Sequence, residues 1–218
     1  SSTIFTILFV NFYMKKYKNV AVVLNGQMPK EKILINQIKS ADYIIAVDGS
    51  GNSLIDLNII PDVIIGDFDS INYINDKKIE FIKTEDQSKT DFRKTLEWCI
   101  EKNILEISIY GISGKSDDHF LGNYYTLNDF GTIIQWTAYT DFSFISPCKG
   151  TKEFESFSGQ KVSLFCMTGE SITNSKNLEY PLESYHLEPS DKAVRNISRA
   201  KKFTIASSNN ILVFQSRE

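Results

Sequence analysis

At 218 residues, with 42% hydrophobic and 23% charged side chains, the chain has the composition of a soluble globular protein with one large domain or two small ones. A net charge of -3 supplies no field to attract nucleic acid or an anionic membrane, so an anionic ligand would need local cations or a metal ion. Three cysteines without CxxC spacing argue against a disulfide framework, and two histidines argue against a His-rich zinc site.

The apolar run at residues 3–13 is about half as long as a membrane span. It also lacks the basic flank and small-residue cleavage site of a signal peptide. Residues 1–13 are therefore expected to be an extension, and the protein to be cytoplasmic. From residue 19 to residue 130, short Val/Ile-rich runs at 20–24, 43–47, 63–65, 79–82 and 104–110 predict strands. Helical spacing between them predicts helices at 30–39, 52–57, 91–102 and 118–127. Continuous apolar strands separated by helices predict an α/β fold with a parallel sheet covered on both faces. After residue 131 the helical spacing stops. Runs at 132–139, 161–167, 203–206 and 211–215, separated by Gly, Ser, Asn and Pro, predict a small antiparallel β domain. The expected division is an α/β nucleotide domain at 14–135 and a β-sandwich-like domain at 136–218.

In a parallel α/β sheet, ligands bind beyond the carboxyl ends of the strands. Four strand ends here carry Gly, Asn or Asp: Asn25-Gly26, Asp48-Gly49-Ser50-Gly51-Asn52, Gly66-Asp67-Phe68-Asp69-Ser70 and Gly111-Ile112-Ser113-Gly114. Turn propensity accounts for one or two such ends more readily than for four. In extended backbone Asp67 and Asp69 would face the same side, and two carboxylates that converge on a hard cation escape mutual repulsion. Ser88 or Thr90 can cap a helix from which Asp91 and Lys94 project on one face, near an N-terminus suited to phosphate. Gly111 to His119 combines a Gly-rich backbone with Lys115, but the GxxxxGK[ST] spacing of a P-loop is absent.

Together these motifs resemble the thiamine pyrophosphokinase family. The family's DGGAN-type turn resembles Asp48 to Asn52. Its GDFDS turn is intact at Gly66 to Ser70, and its DQxxTDxxK segment is intact at Asp86, Gln87, Thr90, Asp91 and Lys94. Its GxxGGRxDHxxxN segment is matched at Gly111, Gly114, Asp118, His119 and Asn123, with Lys115 and Ser116 in place of the second Gly and the Arg. An ammonium there offers a point charge where a guanidinium would offer a fork. Tyr180-Pro181-Leu182 is similar to the family's aromatic-Pro-Leu segment, and Arg195-Asn196-Ile197 keeps part of its Ser-Asn-Glu.

The resemblance implies a Rossmann-like α/β domain, a β-sandwich-like domain and a homodimer whose thiamine site lies between the two chains. It also implies that ATP and thiamine give thiamine diphosphate and AMP with Mg²⁺. On this reading Asp67, Asp69 and Asp91 hold the metal, with Asp48 as a ligand or close neighbour. Asn25, Asp48, Gly49 and Asn52 belong to the nucleotide site. Gln87, Thr90 and Lys94 hold the polyphosphate, while Ser113, Lys115, Asp118 and His119 border the nucleotide. Tyr180 and Asn196 contact thiamine, where an aromatic ring can stack on the cation. Two enzyme rivals are a pterin pyrophosphokinase of similar architecture and a haloacid-dehalogenase-type phosphatase, whose DxD opens its fold on the first strand and not the third. A nucleotide- or thiamine-binding sensor is the rival that is not an enzyme.

Overall fold

The computed structural model describes residues 17–69, 71 and 78–218, so the expected extension at 1–13 lies outside the described residues. Strands β1 (Val20–Val23), β2 (Tyr43–Val47), β3 (Val63–Gly66), β4 (Glu80–Lys83), β5 (Glu106–Tyr110) and β6 (Gln135–Tyr139) are all parallel, in the order β4-β3-β2-β1-β5-β6. Helices α1 (Lys32–Lys39) and α2 (Ser50–Asp56) lie on one face, and α3 (Asp91–Glu101) and α4 (Asp117–Phe130) on the other.

Strand alternation explains how one sheet feeds two cores. Val20 and Val22 pack with Phe92, Leu96, Tyr124 and Leu127 from α3 and α4. Their neighbours Ala21 and Val23 pack with Leu34, Ile38 and Leu54 from α1 and α2. Because both faces are covered, the strands read as unbroken apolar runs, and β1, β2 and β3 are nearly or wholly buried along their lengths.

Strand β6, read from the sequence as part of the β half, pairs parallel with β5. The sheet then continues without interruption. β7 (Ser143–Glu155) runs antiparallel to β6 and to β12 (Lys202–Ser216), which also pairs with β8 (Lys161–Phe165) and β9 (Ser171–Lys176). β10 (Tyr185–Leu187) pairs with β9, and β11 (Asn196–Ile197) with β8. A third core, with Phe154, Leu164, Phe203, Ile205 and Val213, fills this half.

The sequence reading takes residues 203–206 and 211–215 as two strands, but they belong to the single strand β12. Its register shifts between Ser207 and Ile211, opposite Gly150 at φ +74°. An irregularity of this kind bends a long strand pair without ending it. Asn210, inside it, donates from Nδ2 to the Asn128 carbonyl at 2.8 Å and so fastens the bend to the last turn of α4.

Candidate active site

The carboxyl ends of β1, β2, β3 and β5 surround a cavity of about 360 Å³, closed on one side by the N-termini of α3 and α4. Two of its walls are zipped together by backbone. Gly26 N–H donates to the Gly111 carbonyl at 3.0 Å and Gln27 N–H to the Ser113 carbonyl at 2.7 Å. A Cβ on Gly26 would stand 2.2 Å from the Gly111 oxygen, so this close approach requires glycine.

At the floor, one carboxylate oxygen from each of Asp48, Asp67 and Asp91 lies within 4.8 Å of the other two. Asp48 follows β2 with φ +46°, and its Oδ1 is buried without a hydrogen-bond partner. Gly66 makes room for it, since a Cβ there would meet Asp48 Cβ at 3.0 Å. Asp91 opens α3 behind the cap Thr90, whose Oγ1 accepts from Arg93 N–H at 3.3 Å. The Asp91 carboxylate pairs with Lys94 Nζ at 2.7 Å and accepts from Thr84 Oγ1 at 3.2 Å. Lys94 keeps only 9% of its side-chain surface exposed. Three carboxylates and one ammonium leave about two negative charges in a space one ion wide, and a buried orphan oxygen points to a missing cationic partner.

Asp69 is not part of this group. Phe68 has φ +69°, so the backbone leaves the extended form between the two aspartates and the same-side argument does not apply there. Asp69 is exposed, and its amide donates to Asp67 Oδ1 at 3.2 Å, which orients Asp67.

Of the other predicted residues, Asn25, Gln87, Thr90, Lys94, Lys115 and His119 line the cavity. Lys115 occupies a left-handed backbone position, φ +66°, and its Nζ donates to Asn25 Oδ1 at 3.0 Å across the mouth. Gly49, Asn52, Ser113 and Asp118 are not among the residues that line it. Gly49 caps α2, Asn52 sits in its first turn, and Ser113 supplies the carbonyl already described. Asp118 accepts from Ser116 Oγ and the His119 amide, and the Ser116 hydroxyl foremost holds its carboxyl below the usual range.

Tyr180 and Asn196 lie together in the β half and outside the cavity lining. Asn196 is buried; its Nδ2 donates to the Tyr180 carbonyl at 2.7 Å and its Oδ1 accepts from Tyr180 N–H at 3.0 Å. The amide thus holds the backbone of Tyr180, a residue that is 63% exposed. Sequence reasoning missed Thr84, Lys89 and Phe120. Lys89 and Phe120 line the cavity, and each is adjacent to a motif residue, Thr90 or His119. Thr84 follows an exposed strand with no signal of its own.

The thiamin pyrophosphokinase catalytic domain model matches residues 34–134, and the thiamin pyrophosphokinase substrate-binding domain model matches residues 143–214. The chain belongs to the thiamin pyrophosphokinase family. A thiamine pyrophosphokinase of Bacillus subtilis is 38% identical over 114 residues, which is 49% of this chain and 52% of that protein. Thiamin pyrophosphokinase 1 of Caenorhabditis elegans is 32% identical over 130 residues, 54% of this chain and 51% of that protein. The chain thus spans about half the length of each of these relatives in the matched region. Two solved structures share the fold. The Bacillus subtilis thiamine pyrophosphokinase has TM-score 0.76 at 24% identity over 91% of this chain and 98% of that one. The Candida albicans thiamin pyrophosphokinase has TM-score 0.80 at 19% identity over 92% and 90%. Membership of this family disfavours the phosphatase and pterin readings. Among the described residues no helix is long and apolar enough to cross a membrane.

Proposed function

We propose that the chain is an ATP-dependent thiamine diphosphokinase that transfers the diphosphate of ATP to the thiamine hydroxyl, releasing AMP. The observation that carries this reading is the Asp48, Asp67 and Asp91 group on the cavity floor, inside the stretch matched by the catalytic-domain model. The group fits Mg²⁺, because hard carboxylate oxygens converge there and Asp48 Oδ1 has no other partner. When bound, such an ion neutralises polyphosphate charge and polarises the phosphorus under attack.

The chain's own residues supply the rest. Lys94 brings a buried positive charge to the polyphosphate and holds Asp91 in place. Thr90 caps α3 with its oxygen and keeps its hydroxyl proton to donate. Lys115, steadied by Asn25, closes the mouth with a second cation. Attack by the hydroxyl oxygen forms a bond to the β-phosphorus while the bond to the α-phosphate bridging oxygen breaks. AMP leaves, and the hydroxyl proton passes to a rim carboxylate. Transfer of this kind depends on positioning and charge neutralisation.

Thiamine would lie between two chains. Tyr180 and Asn196 stand outside the cavity lining of their own chain, as a site completed by a second copy requires. Thiamine-dependent AMP release, measured with Mg²⁺ and with the metal chelated, tests the function. Release that needs both thiamine and Mg²⁺ is expected, and AMP formation indifferent to thiamine would refute the assignment. Mixing Asp67→Asn with Tyr180→Ala under subunit exchange should recover activity if the site is shared. Exchange without recovery would place both halves of the site on one chain.

A further inference from the structure

The loop from β1 to α1, residues 24–31, lines the cavity through Asn25 and Gly26. Its first half is fixed to the β5–α4 loop by the Gly26 and Gln27 amides. Its second half ends at α1, whose cap residue Glu31 makes no side-chain cap bond. The two amides that lead into α1 are held instead from far along the chain. The Asp141 carboxylate accepts from Lys30 N–H at 2.9 Å through Oδ1 and at 3.1 Å through Oδ2, and from Glu31 N–H at 3.1 Å.

Asp141 is itself held firmly. It sits in the β6–β7 turn, where Thr140 Oγ1 accepts from the Phe142 and Ser143 amides at 3.1 and 2.9 Å. Arg217 N–H donates to the Phe142 carbonyl at 3.0 Å, tying the turn to the end of β12. The turn lies where the chain passes from the last parallel strand into the antiparallel half.

We infer that Asp141 is a positioning residue for the nucleotide site, anchoring the β1–α1 loop so that Asn25 can hold Lys115 across the mouth. The inference rests on the nucleotide-binding part of the proposed function. The chain contains a matched control for general stability. Asp42 Oδ2 accepts from the Lys18 and Asn19 amides, both at 3.1 Å, at the opposite end of the sheet from the cavity. Losing either carboxylate frees a pair of neighbouring amides, but only Asp141 reaches a loop that lines the cavity.

The test combines titration of the full chain with α,β-methylene-ATP and Mg²⁺ with amide exchange of the nucleotide-free protein. Asp141→Ala should weaken binding about threefold to tenfold, the scale of a lost hydrogen bond. Asp141→Asn, whose amide oxygen can still accept from both N–H groups, should restore most of the affinity, and Asp42→Ala should bind as the wild type does. Exchange at residues 26–31 should quicken in Asp141→Ala and not in Asp42→Ala. Equal weakening by Asp42→Ala, or unchanged binding by Asp141→Ala, would overturn the inference. If Asp141→Ala does not fold, Asp141→Glu carries the same expectation, because an extra methylene displaces the carboxylate from the two amides. A wild type that fails to bind the analogue would refute the functional reading. The exchange data would then decide the anchor alone: unchanged protection at 26–31 overturns it, and quickened exchange supports it.

Discussion

In the parallel half, Asp48 keeps a buried carboxylate oxygen with no partner, and one of its carboxylate oxygens lies within 4.8 Å of oxygens of Asp67 and Asp91. In the antiparallel half Asn210 Oδ1 is buried without a partner too, but the other buried amides there are consumed by the fold itself. Asn196 is spent on the backbone of Tyr180. Gln160 donates to the Ser216 carbonyl at 2.7 Å, and Gln215 donates to Gln160 at 3.0 Å and to the Glu155 carbonyl at 2.7 Å. A buried acceptor without a donor costs about 1–3 kcal/mol. A carboxylate that bears this cost in a group with two further carboxylates is arranged for a ligand, whereas Asn196, Gln160 and Gln215 are spent on shape.

The sharpest break of this comparison is Asp67→Asn. It should lower AMP release on the order of 100-fold or more at saturating Mg²⁺ while the fold persists, because one charge is lost at constant volume. Asp69→Asn should cost far less, since Asp69 is exposed and outside the group. Equal losses would mean that the carboxylate set has to be redrawn around Asp69. Lys94→Met should next destabilise the chain by about 3 kcal/mol, measured by denaturant, because it strands Asp91 beside two other carboxylates.

On the other side of the comparison, Asn196→Ala should lower stability by about 1–3 kcal/mol through loss of the clamp on Tyr180 and leave nucleotide affinity unchanged. A change in nucleotide affinity would blur the division between the halves. The smallest effect concerns the thiols, which are buried in both halves. Burial pushes the Cys99 thiol up to about 12 and the Cys148 thiol up to about 11, and Cys166 is buried as well. Labelling of the native protein at pH 8 should therefore be slow, and unfolding should release three reactive thiols. Rapid native labelling of any one of them would show local opening.

The parallel half was legible because its strands are buried on both faces, so Val20–Val23 and Tyr43–Val47 appear as uninterrupted apolar runs. The antiparallel half was read less well. β7 holds Pro147 and Gly150, residues that normally argue against a strand. In β12, the polar run Ser208-Asn209-Asn210 reads as a turn although it forms the irregularity of a continuous strand. At the site, nine predicted residues meet at the cavity. The pairing of Asp67 with Asp69 assumed extended backbone where Phe68 turns left-handed. The partnership of Asp48 with Asp67 and Asp91 depends on which strand ends are neighbours, a long-range fact that residue spacing does not carry. Asp141 lay beyond reach for the same reason, since the amides that it holds are 110 and 111 residues away.

The most direct measurement follows ATP labelled at its γ-phosphorus, mixed with thiamine, Mg²⁺ and the chain. Thiamine diphosphate carrying the label and AMP should accumulate in equal amounts, because the bond that breaks lies between the α- and β-phosphates. Labelled thiamine monophosphate with ADP, or labelled inorganic phosphate without a thiamine ester, would contradict diphosphate transfer at this site.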